Sequence, residues 1–377
     1  MNKTVKISVV TASLTIAAVA ATALAQSAVN PTTALAQLGS KVYSTGPNGE
    51  QPASASSVTL TPAEIAKVKA MKATAAIVLH YGGNDWSNAQ VDGLKARFTE
   101  LGINVIAVTD AGFKPEKQVS DLETVSARKP SVIVSIPTDP VATAGAYKKV
   151  AAAGIKLVFM DNVPKGLKVG TEYTSVVSSD NYGNGIASAY LMAQALNSKG
   201  TIGIIYHSAD FFVTKQRYTA FKATIKQFPN IKVVAEQGIG GPDFAGDAEK
   251  VANAMLTRNP NLSGIWAVWD VPAEGVLSAA RTAGRKDLIV ATMDLGKNVA
   301  LEMAKPNGLI KGLGAQRPYE AGVTEANLAA YALLGKKAPA YVALNALPVT
   351  KATLATSWKA VYNQTLPGDV AGVLGQK

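Results

Sequence analysis

Nine short runs of β-branched and apolar residues, separated by stretches with helical spacing, constrain this chain more than any other feature of its sequence. The runs are AAIVLHY (75–81), INVIAVTD (103–110), SVIVSIP (131–137), IKLVFMD (155–161), TSVVSSD (174–180), TIGIIYH (201–207), IKVVAEQ (231–237), SGIWAVWD (263–270) and LIVATMD (288–294). Between most of them apolar residues recur at helical intervals, as in Val91, Leu94, Phe98 and Leu101, or Val251, Ala254 and Met255. Strands apolar on both faces must be covered on both, and a helical crossover after each makes neighbours parallel. The expected class is α/β, doubly wound. Nine strands are many for one sheet, and NVPKGLKVGTEYTS (162–175) breaks the alternation, so the pattern predicts two Rossmann-like lobes that meet near Ser179-Asp180-Asn181.

Ahead of the first run, Lys3 and Lys6 precede an apolar and small-residue stretch from Val9 to Leu24, then Ala23-Leu24-Ala25. This reads as an export signal cleaved after Ala25. The stretch approaches the ~20 residues that span a bilayer, but alanine and threonine dominate it and no second long apolar segment follows. From Gln26 to about Ser57 the chain is rich in Ser, Ala, Thr, Gly and Pro, which predicts a mobile or loosely attached leader. Thr61-Pro62-Ala63-Glu64 then predicts a capped helix start, with the short helix running to about Met71.

The chain has no cysteine. Although exported chains live where disulfides form, stability here has to come from packed cores, and no lipid-bearing cysteine stands at the cleavage site. A freely diffusing periplasmic protein is expected, as a monomer. The formal charge of +11 becomes +9 once Lys3 and Lys6 leave with the signal. The remaining lysines are scattered and no aromatic residues interleave with them, so the excess reads as a solvated surface and no nucleic-acid partner is expected.

Parallel sheets place ligands beyond the carboxyl ends of their strands. Those ends here carry His80-Tyr81 with Asn84 and Trp86 just beyond, Thr138-Asp139, Asp161-Asn162, Tyr206-His207, Trp269-Asp270 and Asp294. Carboxylates and amides read hydroxyls through paired hydrogen bonds, and aromatic faces pack on the C–H side of a sugar. The mixture suits a carbohydrate. Asp110 and Asp139 are equally well placed as helix caps.

From about Thr74 to Leu347 the sequence resembles the periplasmic sugar-binding proteins of the ribose-binding type, the type I class that serves ABC transporters. The resemblance rests on NDWSNAQVDGLKARFTELG, IPTDP, VFMD, SSDNYGNG, the Arg of TKQRYTAF, AVWD, ATMD and GAQRP, in that order. It implies a first lobe over 72–179 plus 317–345 and a second over 180–316 plus 346–377, joined by a hinge of three crossings near 180, 316 and 346. It also implies ligand contacts from His80, Asn84, Trp86, Ser87, Asp161 and Asn162 in the first lobe. Arg217, Phe244, Trp269, Asp270, Asp294 and Gln316 would supply those from the second lobe and hinge. The implied partners are a small sugar or sugar alcohol and an ABC transporter permease in the inner membrane.

Three positions depart from the ribose-binding pattern: Ile136 where an Asn is usual before Pro-Thr-Asp, Asn162 where an Arg follows the key Asp, and Trp269 in place of an Asn. Exchanging a fixed cation for an amide that both donates and accepts favours a ligand made almost wholly of hydroxyls, such as a sugar alcohol of five or six carbons. Other functions find less support. The chain lacks G-x-S-x-G, H-E-x-x-H, P-loop and strand-following G-x-G-x-x-G motifs, and neither a cofactor nor a metal site is expected from its two histidines. An enzyme would have to work with its aspartates alone. A sugar-responsive repressor would carry a helix-turn-helix where the export signal stands. A sensor that docks onto a chemoreceptor fits the same sequence as a transport component.

Overall fold

The computed structural model of the protein describes residues 29–375, so the export signal expected at 1–25 lies outside the described residues. In chain order the strands are β1 (Ala53–Ser54), β2 (Thr74–Leu79), β3 (Asn104–Asp110), β4 (Val132–Ser135), β5 (Lys156–Met160), β6 (Val176–Ser179), β7 (Gly200–His207), β8 (Ile231–Ile239), β9 (Gly264–Ala267), β10 (Ile289–Met293), β11 (Ile310–Ala315), β12 (Tyr341–Leu344) and β13 (Leu347–Val349). They form two sheets. One has the order β1-β12-β6-β5-β4-β2-β3 with every pair parallel. The other has the order β13-β11-β10-β9-β7-β8 and is parallel except where β13 runs against β11.

Each sheet is buried on both faces, as continuous apolar strands require. In β2, Ala75, Ile77 and Leu79 face one core with Leu94 and Phe98, while Ala76 and Val78 face another with Leu122 and Tyr147. In the second sheet Ile202 and Ile204 pack with Phe221 and Trp266, and Ile205 looks the other way toward Phe244 and Met255. Four strands lie outside the nine runs. Of these β11, Ile-Lys-Gly-Leu-Gly-Ala, is too poor in side chains to read as a strand. Its glycines are demanded by the helix Asn181–Ala195, because a Cβ on Gly314 would lie 2.5 Å from the Asn184 carbonyl oxygen and one on Gly312 2.8 Å from Leu191.

The chain passes between the sheets three times. Ser179 ends β6, and the helix Asn181–Ala195 packs on β10 and β11. Ala315 ends β11, and the helix Pro318–Leu334 packs on β5 and on the helix Asp85–Glu100. Leu344 ends β12 and Leu347 begins β13, whose amide donates to Asn184 Oδ1 at 2.9 Å.

The expectation of a loosely attached leader is corrected by the structure. Residues Pro31–Gln37 form a helix that packs on Asn181–Ala195, with Gln194 donating to Thr32 Oγ1 at 3.0 Å. The chain then runs over the first crossing, where the amides of Tyr43 and Ser44 each donate to the Asp180 carboxylate at 2.9 Å. Ser44 is 2 % exposed, and its hydroxyl accepts from the Tyr182 amide at 3.0 Å. Asn345, in the third crossing, donates to the Gly39 carbonyl. Finally β1 extends the first sheet beside β12. Composition could not reveal this, because the segment is held by backbone amides on a distant carboxylate and by an edge strand, neither of which needs a periodic apolar face. The short helix does start at Pro62 with a reciprocal Thr61–Glu64 cap and runs to Ala70.

Candidate functional site

A cavity of about 70 Å³ lies between the lobes, at the carboxyl ends of both sheets. From the first lobe, β2 delivers His80 and Tyr81, and the next helix begins at Asn84. The Asn84 side-chain oxygen accepts from the Ser87 amide at 2.9 Å, which leaves its NH₂ for the cavity. Trp86 lines the same wall. At the end of β5 Asp161 takes a left-handed backbone conformation, φ 52°, and at the end of β10 Asp294 does the same, φ 64°. Aspartate tolerates this region better than most residues, and such a turn lifts each carboxylate off its strand and into the cleft.

The polar side of the cavity is a bonded network. Arg217 donates to Asp294 through two nitrogens at 2.8 and 3.3 Å, to the Val268 carbonyl at 3.3 Å, and through Nε to Asn181 Oδ1 at 3.0 Å. The guanidinium is thus fixed by the second lobe and by the residue just past the first crossing. Asp161 Oδ1 accepts the Ser178 hydroxyl at 2.5 Å. Burial pushes the Asp161 carboxyl up to about 6, against the pull of Ser178 and Arg217. Burial, and then the Asp294 carboxylate, holds Asp270 well above the ordinary carboxylate range. Gln316, at the second crossing, completes this side.

The opposite side is aromatic and comes from both lobes. His80 stacks on Phe211 with centroids 5.5 Å apart and meets Phe113 edge-on at 4.7 Å. Trp269 meets His207 at 5.5 Å. Burial, with His207 as a neighbour, depresses the His80 imidazole to about 3, and burial lowers His207 to about 4. Both rings are neutral at pH 7.

Of the expected contact residues, His80, Asn84, Trp86 and Asp161 line the cavity from the first lobe. Arg217, Trp269, Asp270, Asp294 and Gln316 line it from the second lobe and the hinge. Three others stand outside the lining. Ser87 is occupied by the helix cap. Phe244 forms a second layer, its ring 4.9 Å from Trp269 and 5.4 Å from Phe113. Asn162 is carried behind Asp161 by the left-handed turn, its amide donating to the Met160 carbonyl, and its side chain finds no partner among the described residues. The inference of an all-hydroxyl ligand from the Asn162 exchange therefore loses its direct contact. The two disputed aspartates behave as loop braces: Asp139 accepts from the Val141 and Ala142 amides, and Asp110 from Gly82 and Gly112.

Residues 75–337, more than two thirds of the chain, match the family described as periplasmic binding protein domain. The chain belongs to that family. This binding protein is 27% identical over 266 residues to the D-apiose import binding protein of Actinobacillus succinogenes, covering 71% of this chain and 84% of that one. It is 28% identical over 277 residues to the ribose import binding protein of Escherichia coli, with 71% and 88% covered. Among solved structures, an ABC transporter solute binding protein from Agrobacterium vitis with bound allitol superposes with a TM-score of 0.68 at 25% identity, covering 76% of this chain and 98% of that one. The two-lobed type I fold is thereby established, the relatives are binding proteins rather than enzymes, and family membership implies a periplasmic location. Among the described residues no helix is long and apolar enough to cross a membrane.

Sequence reading missed Phe113, Phe211, Val213, Thr214 and Val271, which also line the cavity of this binding protein. Phe113, Phe211 and Val271 lie within a few residues of a strand's carboxyl end, whereas Val213 and Thr214 belong to the helix Phe212–Ile225. Extending the strand-end rule into the following loop would have found Phe113 after β3 and Phe211 after β7.

Proposed function

We propose that this protein captures a monosaccharide or sugar alcohol between its lobes, closes about the hinge, and passes the ligand to an ABC transporter permease in the inner membrane. It is exported by the segment 1–25, cleaved after Ala25, acts as a monomer and performs no chemistry on its ligand. The observation that carries this reading is a cavity in which the bonded network of Asp161, Arg217 and Asp294, with Gln316 beside it, faces aromatic rings from both lobes. Such a network reads hydroxyls while the rings cover C–H faces. Ligand stabilises closure because only then do both lobes touch it.

A thermal-shift screen of the mature protein over aldoses and their alditols tests the reading. A ligand at a hundred times its Kd stabilises the fold by about 2.7 kcal/mol. Failure of every sugar and alditol to raise the melting temperature refutes it, and recovery of an altered sugar after long incubation would make the protein an enzyme.

A further inference from the structure

The ion pair and Asp161 lie on one side of the cavity and most of its rings on the other, with Asp270 toward the rim beside Gly296. Asp161 and Arg217, which holds Asp294, are tied to Ser178 and Asn181 beside the first crossing, and Gln316 stands at the second. On the other side Phe113 lies 6.0 Å from Phe211 across the cleft and 6.2 Å from His207, so rings from both lobes close that end of the cavity. A ligand seated on the carboxylates by its hydroxyls presents its far end to these rings. A hydroxyl on a phenyl face has lost its water without a replacement, whereas a methyl group there gains contact.

Polar groups also stand among the rings: Tyr81, His207 and Thr214 line the cavity, and His207 Nδ1 lies 3.2 Å from Thr214 Oγ1. His80 Nδ1 and Trp86 Nε1 are buried without a partner among the described residues. Both belong to residues of the first-lobe wall. Phe113 and Phe211 offer only carbon.

Resting on the sugar-binding reading above, we propose that this site selects a methyl-terminated ligand, a 6-deoxyhexose, a 5-deoxypentose or one of the corresponding deoxyalditols, over the parent that carries a terminal hydroxyl. Phe113 and Phe211 enforce the choice by covering the last carbon. Phe113 itself has a left-handed backbone, φ 58°, a conformation that asparagine adopts readily. Phe113→Asn therefore places a hydrogen-bonding group at the apolar end without straining the turn.

Calorimetry on the mature protein decides the matter with matched pairs: L-fucose against L-galactose, L-rhamnose against L-mannose, 5-deoxy-D-ribose against D-ribose, and the alditols of each. The deoxy member of at least one pair should bind tenfold or more tighter than its parent, and Phe113→Asn should reduce that ratio about tenfold. Parents that bind as tightly as their deoxy partners in every binding pair overturn the inference and leave the sugar-binding reading standing. Absence of binding by both members of all pairs, together with a blank thermal-shift screen, overturns both. A ratio unchanged in Phe113→Asn removes Phe113 from the selection.

Discussion

Asp161 and Asp294 occupy corresponding places in the two lobes, each just past a strand, each with a positive φ, and each directed into the cleft. They differ in their partners. Asp294 is neutralised by Arg217, whereas Asp161 has a hydroxyl partner and lies against Arg217 only at longer range. Asp161 is thus the carboxylate left free to accept ligand hydroxyls. Asp161→Ala should weaken binding by about 2–4 kcal/mol with little loss of stability, since a hydrogen bond to a charged group contributes roughly 1.5–3 kcal/mol. Wild-type affinity in a calorimetric titration would remove Asp161 from the site. Its pH dependence has a definite sign. The unliganded carboxyl titrates at about 6, and ligand hydroxyls favour the charged form. Affinity should therefore be full above pH 6 and fall as pH drops through 6, approaching about tenfold per unit once Asp161 is protonated. His80 and His207, already neutral and titrating at about 3 and 4, contribute nothing in that window. Asp270, whose carboxyl burial also raises, lies in the same cavity, so the assignment needs Asp161→Asn. That variant should flatten the step near pH 6, and an unaltered profile would assign the step to Asp270.

At the scale of elements the leader is the part of the molecule that departs furthest from its composition. It touches the second lobe through the helix Pro31–Gln37, the crossings through Gly39, Tyr43 and Ser44, and the first lobe through β1. Asp180 is its anchor. The carboxylate accepts from the amides of Tyr43 and Ser44 and also caps the helix Asn181–Ala195 through the Gly183 amide at 2.8 Å. Asp180→Ala should lower stability by about 2–4 kcal/mol, because it removes a cap of roughly 1 kcal/mol and hydrogen bonds to a buried charge. In a chain that begins at residue 58 the same substitution should cost only about 1 kcal/mol, the cap alone. Equal costs in the two chains, measured by denaturant unfolding, would mean that the leader is not anchored there. The same element marks the limit of what the sequence made legible. Strands with apolar side chains on both faces declare themselves, and so do the acidic and aromatic residues at their ends. What stays hidden is structure set by distant partners: the glycine strand β11, shaped by the helix that lies on it, the leader, shaped by Asp180, and the turn that hides Asn162. Phe113 and Phe211 belong to loops, where no periodicity points to the cleft, and only the fold brings them to face His80.

At the scale of the whole molecule the two lobes meet, among the described residues, through rings and through a polar contact at the cleft rim. Asp85, in the first turn of a first-lobe helix, accepts from the Lys297 amide at 2.6 Å, at the start of the second-lobe helix Lys297–Ala304. A carboxylate at a helix N-terminus is favourably placed, because unpaired amides and the helix dipole converge there. Gly296 makes the approach possible: a Cβ on it would lie 2.4 Å from the Asp270 carboxylate and 3.4 Å from that of Asp85. The contact bridges the lobes, so opening the cleft would have to break it. It should slow reopening without affecting encounter. Asp85→Ala removes both the charge and the acceptor, for a loss of about 1–2 kcal/mol at this partly exposed position. Relief of repulsion from Asp270 offsets little, since burial holds that carboxyl toward its neutral form. Stopped-flow measurements should then give a dissociation rate about 5–30 times faster with the association rate nearly unchanged, because a latch formed after docking acts on the off-rate. The melting temperature without ligand should fall only slightly, by the loss of one first-turn charge worth a few tenths of a kcal/mol. A slower association rate with unaltered dissociation would mean that Asp85 steers the ligand and does not hold the lobes together.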